Sequence, residues 1–451
     1  MTRAATPRLG REHSAGLIDS MLLIVARVGA NLLALLWTLL LVRLLQPEAS
    51  GIALQAISIA QIASILITLN VESGSMRAIV PARQNDRWDQ AAGFVRFNRR
   101  LALITAPILA LLVLGVWLGG LTVFQTPATL AAMALAVVLV AMARMTARHA
   151  TALGVMRKGL LPRLLTGPVV LTLGLGIAAL ARIPLLPWHV VALYALSEGI
   201  TVVIQNRLLR DDFAFLGATR GDSTGWQGWT RLGLWLTPGL VMNEYRKAIL
   251  IATAALVLTG TEISLFAVAF SIVNIINFGV VAVDVAFSPR IAQAMAAGQP
   301  GRRDKLLASS GAIKLAGLML GTALVLLMGR TALGWFGAQF DAAYPALLVM
   351  LLIPAISILF GPASVLLSSR GYGRSDFTGN LTGALGCMVA ICGLGALFGV
   401  VGAAVGAVAA HLLGQATMTV LCRRRLGIDP TLGNLRHLIR SPATPSATVT
   451  P

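Results

Sequence analysis

Four polar residues stand at the centre of an apolar stretch that is long enough to cross a membrane. Asn243, Glu244, Arg246 and Lys247 lie in the middle of "WLTPGLVMNEYRKAILIATAALVL", which spans residues 235–258. A charge at the bilayer centre is costly, so such side chains face protein or a wet cavity and mark ion or substrate sites. On a continuous helix Asn243, Arg246 and Lys247 share a face about 100° wide. The stretch therefore predicts a cationic site for an anionic substrate.

Two further features of this stretch bear on the predicted site. Glu244 precedes Lys247 by three residues, a spacing at which the two side chains can pair on a helix. Pro238 removes a backbone hydrogen bond and is expected to bend the helix before the cluster. The alternative interpretation is an ion pair buried between helices for packing alone.

A second polar stripe occupies the first apolar segment. Ser20, Arg27, Asn31 and Thr38 recur at helical spacing and fall on one side of a helix. Arg27 stands about ten residues into the segment, roughly 15 Å from its start at 1.5 Å per residue. Snorkelling to the inner headgroups is the alternative for this arginine, but the reach is long. We predict that Arg27 and Asn31 line the same cavity.

Carboxylates inside apolar segments are candidates for ion coupling. Glu198 is the acid of the segment 189–206, and Glu244 is the acid of the cationic stretch. Intramembrane acids often serve as proton carriers in transporters. We predict that Glu198 or Glu244 exchanges protons with the cavity and couples transport to a proton gradient.

The overall composition excludes a soluble globular protein. Of 451 residues 57% are hydrophobic and 12% charged, with a mean hydropathy of +0.82. Apolar runs of about 20 residues recur along the chain, and each can cross a bilayer as a helix. The net charge of +19 comes from basic loops, so no nucleic-acid partner is expected. The three cysteines form no CxxC pair or Cys/His cluster, so we expect neither a metal site nor a cofactor.

The sequence predicts an all-α polytopic membrane protein with twelve transmembrane helices. The predicted spans are 18–42, 52–71, 101–123, 128–147, 164–181, 189–206, 233–257, 263–286, 311–328, 346–367, 378–398 and 402–421. The loops and tails on one side then carry 29 of the 36 Lys and Arg residues. By the positive-inside rule that side is cytoplasmic. Both termini are therefore predicted to lie in the cytoplasm.

A faint internal repeat divides the chain into halves. "AISIAQI" at 56–62 aligns with "AFSIVNI" at 269–275 when the sequence is shifted by 213 positions. Such repeats are common in transporters, whose substrates bind between the halves. We predict two six-helix lobes around a central cavity, at 18–206 and 233–421, joined by a cytoplasmic linker at 207–232. The remaining segments, 1–17 and 422–451, are predicted cytoplasmic tails, the second partly disordered.

Several longer motifs carry a resemblance to a known family. "LVRLLQPEASGIALQAISIA" at 41–60 resembles the junction of the first two helices in polysaccharide-transporter flippases, with Gln46 where that family usually has Gly. "FSPRIAQAMAAGQPGRRDKL" (287–306), "LGWFGAQFDAAYPALLVMLL" (333–352) and "FGVVGAAVGAVAA" (398–410) resemble later junctions. The chain thus looks like a member of the polysaccharide-transporter branch of the multidrug/oligosaccharidyl-lipid/polysaccharide flippase superfamily.

The resemblance implies a function as well as a fold. It implies alternating access by two six-helix lobes and a substrate of sugar chains on a polyprenyl pyrophosphate, used for cell-surface or exported polysaccharide. The implied partners are this lipid-linked oligosaccharide, membrane lipids, and the polymerase and glycosyltransferases of the same pathway. Arg27 resembles cavity arginines of related flippases in position. We expect Arg27, Arg246 and Lys247 to form one cationic floor for the pyrophosphate, because Arg and Lys both suit phosphate.

Two other functions remain open from the sequence. A multidrug or cation antiporter of the same superfamily would share the fold, although its cationic cargo suits an acidic, aromatic pocket. A membrane polysaccharide polymerase or ligase would need acid/base groups on the outer side, where the predicted loops are short. No GxxxxGK[ST] loop is present, so ATP is not expected to be the direct driver.

Overall fold

The described part of the first half of the chain contains ten helices. The computed structural model describes residues 9–118, 126–370 and 372–435. Its first helices are α1 Leu9–Leu44, α2 Pro47–Thr68, α3 Ser75–Gln84, α4 Trp88–Leu118, α5 Pro127–Ala152, α6 Met156–Leu180, α7 Pro187–Leu208, α8 Phe215–Ala218, α9 Trp226–Glu244 and α10 Arg246–Ala254, with a 3-10 turn at Val71–Gly74.

The second half contains both very long and very short helices. They are α11 Gly260–Ala296, α12 Pro300–Phe336, α13 Tyr344–Met350, α14 Leu352–Phe360, α15 Ala363–Ser369 and α16 Gly373–Leu426, with 3-10 turns at Ala338–Ala343 and Leu432–Leu435. The helix α16 is not continuous, because Phe398 and Gly399 have non-helical backbone angles. Phe398 is the last residue of the predicted eleventh span.

The helices match the twelve predicted spans. Within the described residues, nine helices are long and apolar enough to cross a membrane. One of them, α16, holds the eleventh and twelfth spans on either side of its kink. The third span is α4, whose predicted end lies outside the described residues, and the seventh is the broken pair α9 and α10. The protein is therefore an all-α, multi-pass membrane protein.

Several helices extend beyond their predicted limits. The first begins at Leu9, inside the segment predicted as a tail at 1–17. The fourth continues to Ala152 and the fifth begins at Met156, so most of the predicted loop at 148–163 is helical. Residues 1–8 and 436–451 lie outside the described part, and with them most of the predicted C-terminal tail.

Contacts divide the chain into two units. The first comprises Met1–Val268 with Trp335–Gly337, and the second Ala269–Gly334 with Ala338–Pro451. The seventh spanning helix belongs to the first unit because α10 packs against α2, and α9 against the Val71–Gly74 turn. In the sequence-based division this helix is the first of the second lobe. The linker between the lobes at 207–232 stays a prediction.

In the first unit, close backbone approaches hold the seventh helix against α2. A Cβ on Gly233 would lie 2.6 Å from the Leu69 carbonyl oxygen, so only glycine allows α9 to come this near. Asn70 Nδ2 donates to the Gly233 carbonyl across 3.3 Å. At the other end of α2, a Cβ on Gly51 would lie 1.8 Å from the carbonyl oxygen of Gly260. These contacts fix both ends of α2.

In the second unit, α13, α14 and α15 pack against α16. An apolar cluster around Leu366, Leu367 and Met418 forms part of its core. Lys314 is buried and pairs with Asp284. Each of these two charges therefore has the other as its partner.

Candidate functional site

The seventh spanning helix breaks at its charged cluster. α9 ends at Glu244 and α10 begins at Arg246, with Tyr245 between them at φ −112° and ψ 22°. The Tyr245 amide donates to the Leu240 carbonyl across 3.4 Å, five residues back. This wide turn resembles the π-bulges that recur at functional sites. α9 continues through Pro238, so the helix is not interrupted at that residue, and the bend expected there stays a prediction.

Two of the predicted site residues bond to the backbone around the break. Asn243 Nδ2 donates to the Gly239 carbonyl across 2.8 Å. Arg246 Nε donates to the Met242 carbonyl across 3.1 Å. Terminal carbonyls of a helix need partners from outside its ladder, and the arginine supplies one here. This bond takes one of the five N–H donors of the guanidinium.

Lys247 lies against the first helix. Its Nζ is 5.9 Å from the centre of the Trp37 ring, within the range of a cation–π contact. Trp37 stands ten residues after Arg27, which corresponds to about 15 Å along a helix. Arg27 itself is exposed, and its carbonyl accepts a hydrogen bond from Asn31 Nδ2 across 2.9 Å. Lys247 and Arg27 therefore lie at different levels of the first unit. The side chain of Ser20 lies outside the described residues.

Glu244 pairs with Arg148 of α5 rather than with Lys247. Both partners are partly exposed, at 43% and 34% of their side-chain surface. The pair connects the end of α9 to α5. The structure thus gives Glu244 a partner on α5 that the sequence did not predict, while Lys247 belongs to the next helix, α10.

Tyr245 connects the break to two arginines, of which Arg144 is fully buried. Arg163 Nη2 of α6 donates to the Tyr245 hydroxyl across 2.7 Å. The Arg144 guanidinium of α5 lies 5.8 Å from the centre of the Tyr245 ring. The tyrosine side chain is buried. The residue at the break thus contacts α5 through its ring and α6 through its hydroxyl.

Arg144 forms a fully buried ion pair with Glu72. Its Nε lies 2.6 Å from Glu72 Oε1, and both side chains are 0% exposed. Its Nη2 donates to the Ser64 carbonyl across 2.9 Å and to Thr68 Oγ1 across 2.8 Å. The pair therefore ties α5 to the end of α2 and to the Val71–Gly74 turn. The arginine is well supplied with partners, but among the described residues Glu72 Oε2 is buried without a hydrogen bond, so the pair leaves little tolerance for the loss of either member.

Glu198 lies in the same network. It is half-buried on α7, with the Tyr194 hydroxyl beside its carboxylate. Gln61 Nε2 donates to that hydroxyl across 3.1 Å. Arg163 is close enough to both Glu198 and Glu244 for favourable charge interactions. The two predicted coupling carboxylates therefore share one cation.

The sequence did not single out the residues that organise this network. These residues are Glu72, Arg144 and Arg163. Each lies at or near the end of a predicted span, so each is assigned to a cytoplasmic loop. The four-residue spacing of Arg144 and Arg148 would have indicated that the fourth helix continues past 147. Within the described part of the chain, no group of three His, Cys, Asp or Glu side chains could hold a metal ion.

Comparison with known proteins identifies the fold. No protein-family model matches the sequence, and no curated protein matches it. Among solved structures, an inward-facing multidrug resistance MATE family transporter of the MOP superfamily superposes with a TM-score of 0.67 at 14% identity, over 90% of this chain and 98% of that one. The lipid II flippase MurJ, in an inward closed conformation, also gives a TM-score of 0.67, at 12% identity, over 93% of this chain and 91% of that one.

A further MATE structure, in complex with MaL6, gives a TM-score of 0.63 at 14% identity over 91% of this chain and 95% of that one. The chain therefore has the fold of the multidrug/oligosaccharidyl-lipid/polysaccharide flippase superfamily. This confirms the predicted fold class.

Proposed function

We propose that this protein is a secondary transporter that flips a polyprenyl-pyrophosphate-linked oligosaccharide across the bacterial inner membrane. It would work by alternating access and serve the synthesis of a cell-surface or exported polysaccharide. The fold shared with transporters and with a lipid II flippase supports the transport mode. The substrate class rests on the chemistry of the charged residues.

The observation that carries the substrate class is the cationic break in the seventh helix. Arg246 and Lys247 follow the break directly, and Lys247 reaches the first helix at Trp37. A pyrophosphate needs cations and N–H donors to replace water, and Arg and Lys supply both. The break adds a position where the backbone can change direction during transport.

The cations form two levels in this proposal. Arg27 is about 15 Å from Trp37 along α1, since ten residues separate them, and Lys247 lies at Trp37. The single floor predicted from the sequence is thus replaced by a lower site at Arg27 and Asn31 and an upper site at Asn243, Arg246 and Lys247. An anion moving outward gains about 2.3 kcal/mol per charge for each 100 mV of membrane potential. The pyrophosphate would then bind first at the lower cationic site and next at the upper one.

The direct test measures which membrane face holds the lipid-linked oligosaccharide. In a deletion strain, a membrane-impermeant sugar-modifying probe on intact spheroplasts should find this lipid protected on the inner face. The wild-type gene should restore labelling, and Arg246→Ala with Lys247→Ala should not. The matched control is Arg424→Ala with Arg425→Ala, two adjacent exposed arginines in the second unit, which should restore labelling fully. Labelling in the deletion strain equal to wild type would refute the flippase function and favour a later step, polymerisation or ligation.

A multidrug or cation antiporter is the second candidate, because the MATE structure and the MurJ structure superpose equally well. It would use Glu198 and Glu244 as binding sites for a cation. Both acids lie near Arg163, which weakens their attraction for a second cation. An efflux assay with cationic dyes decides between the two: the flippase should leave dye accumulation unchanged on deletion, and increased accumulation would favour the antiporter.

A further inference from the structure

A cavity lies at the start of α6. Its volume is about 610 Å³, within the range of small-molecule sites. Its walls are Gly154, Val155, Met156, Arg157, Lys158, Leu161, Pro162, Leu165 and Leu208. The apolar members come from the first three turns of α6 and the end of α7. The cavity therefore combines an aliphatic floor with two adjacent cations.

More positive charge surrounds this cavity than its two wall residues supply. Arg83 Nη1 donates to the Leu153 carbonyl across 2.5 Å and would lie 2.9 Å from a Cβ on Gly154. Arg207 and Arg210 flank the wall residue Leu208 and are exposed. The opposing charge comes from Asp212, whose Oδ2 lies 2.7 Å from Lys158 Nζ, and from its neighbour Asp211.

The position of the wall cations within α6 is unusual. Arg157 and Lys158 occupy the first turn, which contains no acidic residue. The positive end of a helix dipole disfavours cations there and favours an anion. The N-cap residue, Val155, gives no side-chain cap, so backbone N–H groups of this turn point towards the cavity end of the helix. A bound anion would interact favourably with these two side chains and with the helix end.

An apolar face continues from the cavity along α6. Val169, Leu173, Ile177 and Leu180 are all exposed, and they fall within about 80° around the helix. This face begins one turn beyond Leu165 and runs to the end of the helix. The cavity thus has cations at one end and an open aliphatic surface leading away at the other. This arrangement is complementary to a phospholipid, whose anionic headgroup would face the cations and whose acyl chain would follow the apolar surface.

We propose that this cavity binds an anionic phospholipid of the leaflet that the basic loops are predicted to face, the cytoplasmic one. Its phosphate would lie between Arg157, Lys158 and the first turn of α6, and an acyl chain would follow Leu165 and the exposed face beyond it. Basic pockets between membrane helices on the cytoplasmic side are known to hold such headgroups. The walls of the cavity include none of the residues proposed to bind the transported lipid, and this proposal does not depend on the cargo.

The test titrates purified full-length protein in neutral detergent with phosphatidylglycerol, or with phosphatidylcholine of the same acyl chains. Native mass spectrometry counts the bound lipids, and thermal unfolding reports their effect on Tm. Phosphatidylglycerol should bind saturably and raise Tm, and phosphatidylcholine should not. Arg157→Gln with Lys158→Gln should weaken binding roughly thirtyfold, because each cation near an anionic lipid contributes about a fivefold factor.

Two further variants separate a defined site from diffuse surface charge. Arg424→Gln with Arg425→Gln removes the same charge from an exposed helix end and should leave the affinity unchanged. Leu161→Trp fills the cavity while keeping its cations and should abolish saturable binding in a protein that still unfolds cooperatively. Equal binding of phosphatidylcholine, equal loss in the two double variants, or unchanged binding by Leu161→Trp would each overturn the proposal. Displacement of phosphatidylglycerol by a stoichiometric amount of polyprenyl phosphate would also overturn it, in favour of a site for the transported lipid.

Discussion

Arg163 donates a hydrogen bond to the Tyr245 hydroxyl across 2.7 Å, and this bond joins α6 to the break in the seventh spanning helix. Arg163 also interacts favourably with Glu198 and Glu244. One guanidinium therefore connects the backbone break to both carboxylates that could carry a proton. We therefore expect a change in the charge of either acid to alter the strength of the hydrogen bond between Arg163 and Tyr245.

Removing the Tyr245 hydroxyl tests this connection. Tyr245→Phe keeps the ring over Arg144 but leaves Arg163 without this acceptor, and hydrogen bonds to charged groups contribute about 1.5–3 kcal/mol. We expect the free energy of unfolding to fall by about that amount, measured by thermal or denaturant unfolding in detergent. Tyr344→Phe is the control, because that ring lies 5.0 Å from Arg330 and keeps this contact without its hydroxyl. Equal losses in the two variants would show that the Arg163 bond contributes nothing specific.

The buried pair of Arg144 and Glu72 should be far more sensitive. Arg144→Met leaves the Glu72 carboxylate uncompensated in the interior, which costs about 3–5 kcal/mol. We expect little folded protein by size-exclusion chromatography, with partial recovery when Glu72→Leu is added, since two apolar residues can replace a buried pair. Arg423→Met breaks a pair whose members are 54% and 37% exposed, and should cost at most about 1 kcal/mol. If Arg144→Met with Glu72→Leu were as unstable as Arg144→Met alone, an uncompensated Glu72 carboxylate would not be the cause of the loss.

The twelve spans were predictable because a helix in a bilayer must satisfy its own backbone bonds, which forces long apolar runs with basic residues at one end. The break at Tyr245 was not predictable in the same way. Proline is the residue most expected to interrupt a helix, yet α9 continues through Pro238. Membrane helices tolerate proline where neighbouring groups satisfy the freed backbone. Which residue departs from the helix is decided by contacts such as those of Tyr245 with Arg163 and Arg144.

The site was predictable only in part, for a related reason. Arg246, Lys247 and Glu198 stand out because charges inside apolar segments are rare. Glu72 and Arg144 are 72 positions apart and lie at segment ends, where charges are ordinary. Their pairing depends on the packing of α5 against α2, which spacing along the chain does not encode. The Lys247 contact with Trp37 likewise arises only from packing between distant helices.

The close approach of α2 to α11 predicts a strict need for glycine at position 51. A Cβ there would lie 1.8 Å from the Gly260 carbonyl oxygen, so Gly51→Ala must push the two backbones apart. We expect a loss of about 1–3 kcal/mol in the free energy of unfolding, the usual effect of overpacking. Gly29→Ala in α1 is the control, because nothing lies within 4 Å of its Cβ position. That change should stabilise by up to about 1 kcal/mol through helix propensity, and a stabilising Gly51→Ala would contradict the observed approach.

Glu198 is the stronger candidate for proton coupling, because it is half-buried beside the Tyr194 hydroxyl, whereas Glu244 is 43% exposed and paired with Arg148. Glu198→Gln keeps the shape of the side chain and removes its charge. In inverted membrane vesicles, wild-type transport of the lipid-linked sugar should rise when a proton gradient is imposed. In Glu198→Gln it should continue at a low rate that the gradient does not change.

Glu244→Gln is the matched variant for this experiment, since it removes the other carboxylate near Arg163. It should keep the response to the gradient while losing the pair with Arg148. The reverse result, a response kept by Glu198→Gln and lost by Glu244→Gln, would assign the coupling to the acid at the break. A response kept by both variants would exclude this pair of carboxylates, because each would then be dispensable for sensing the gradient.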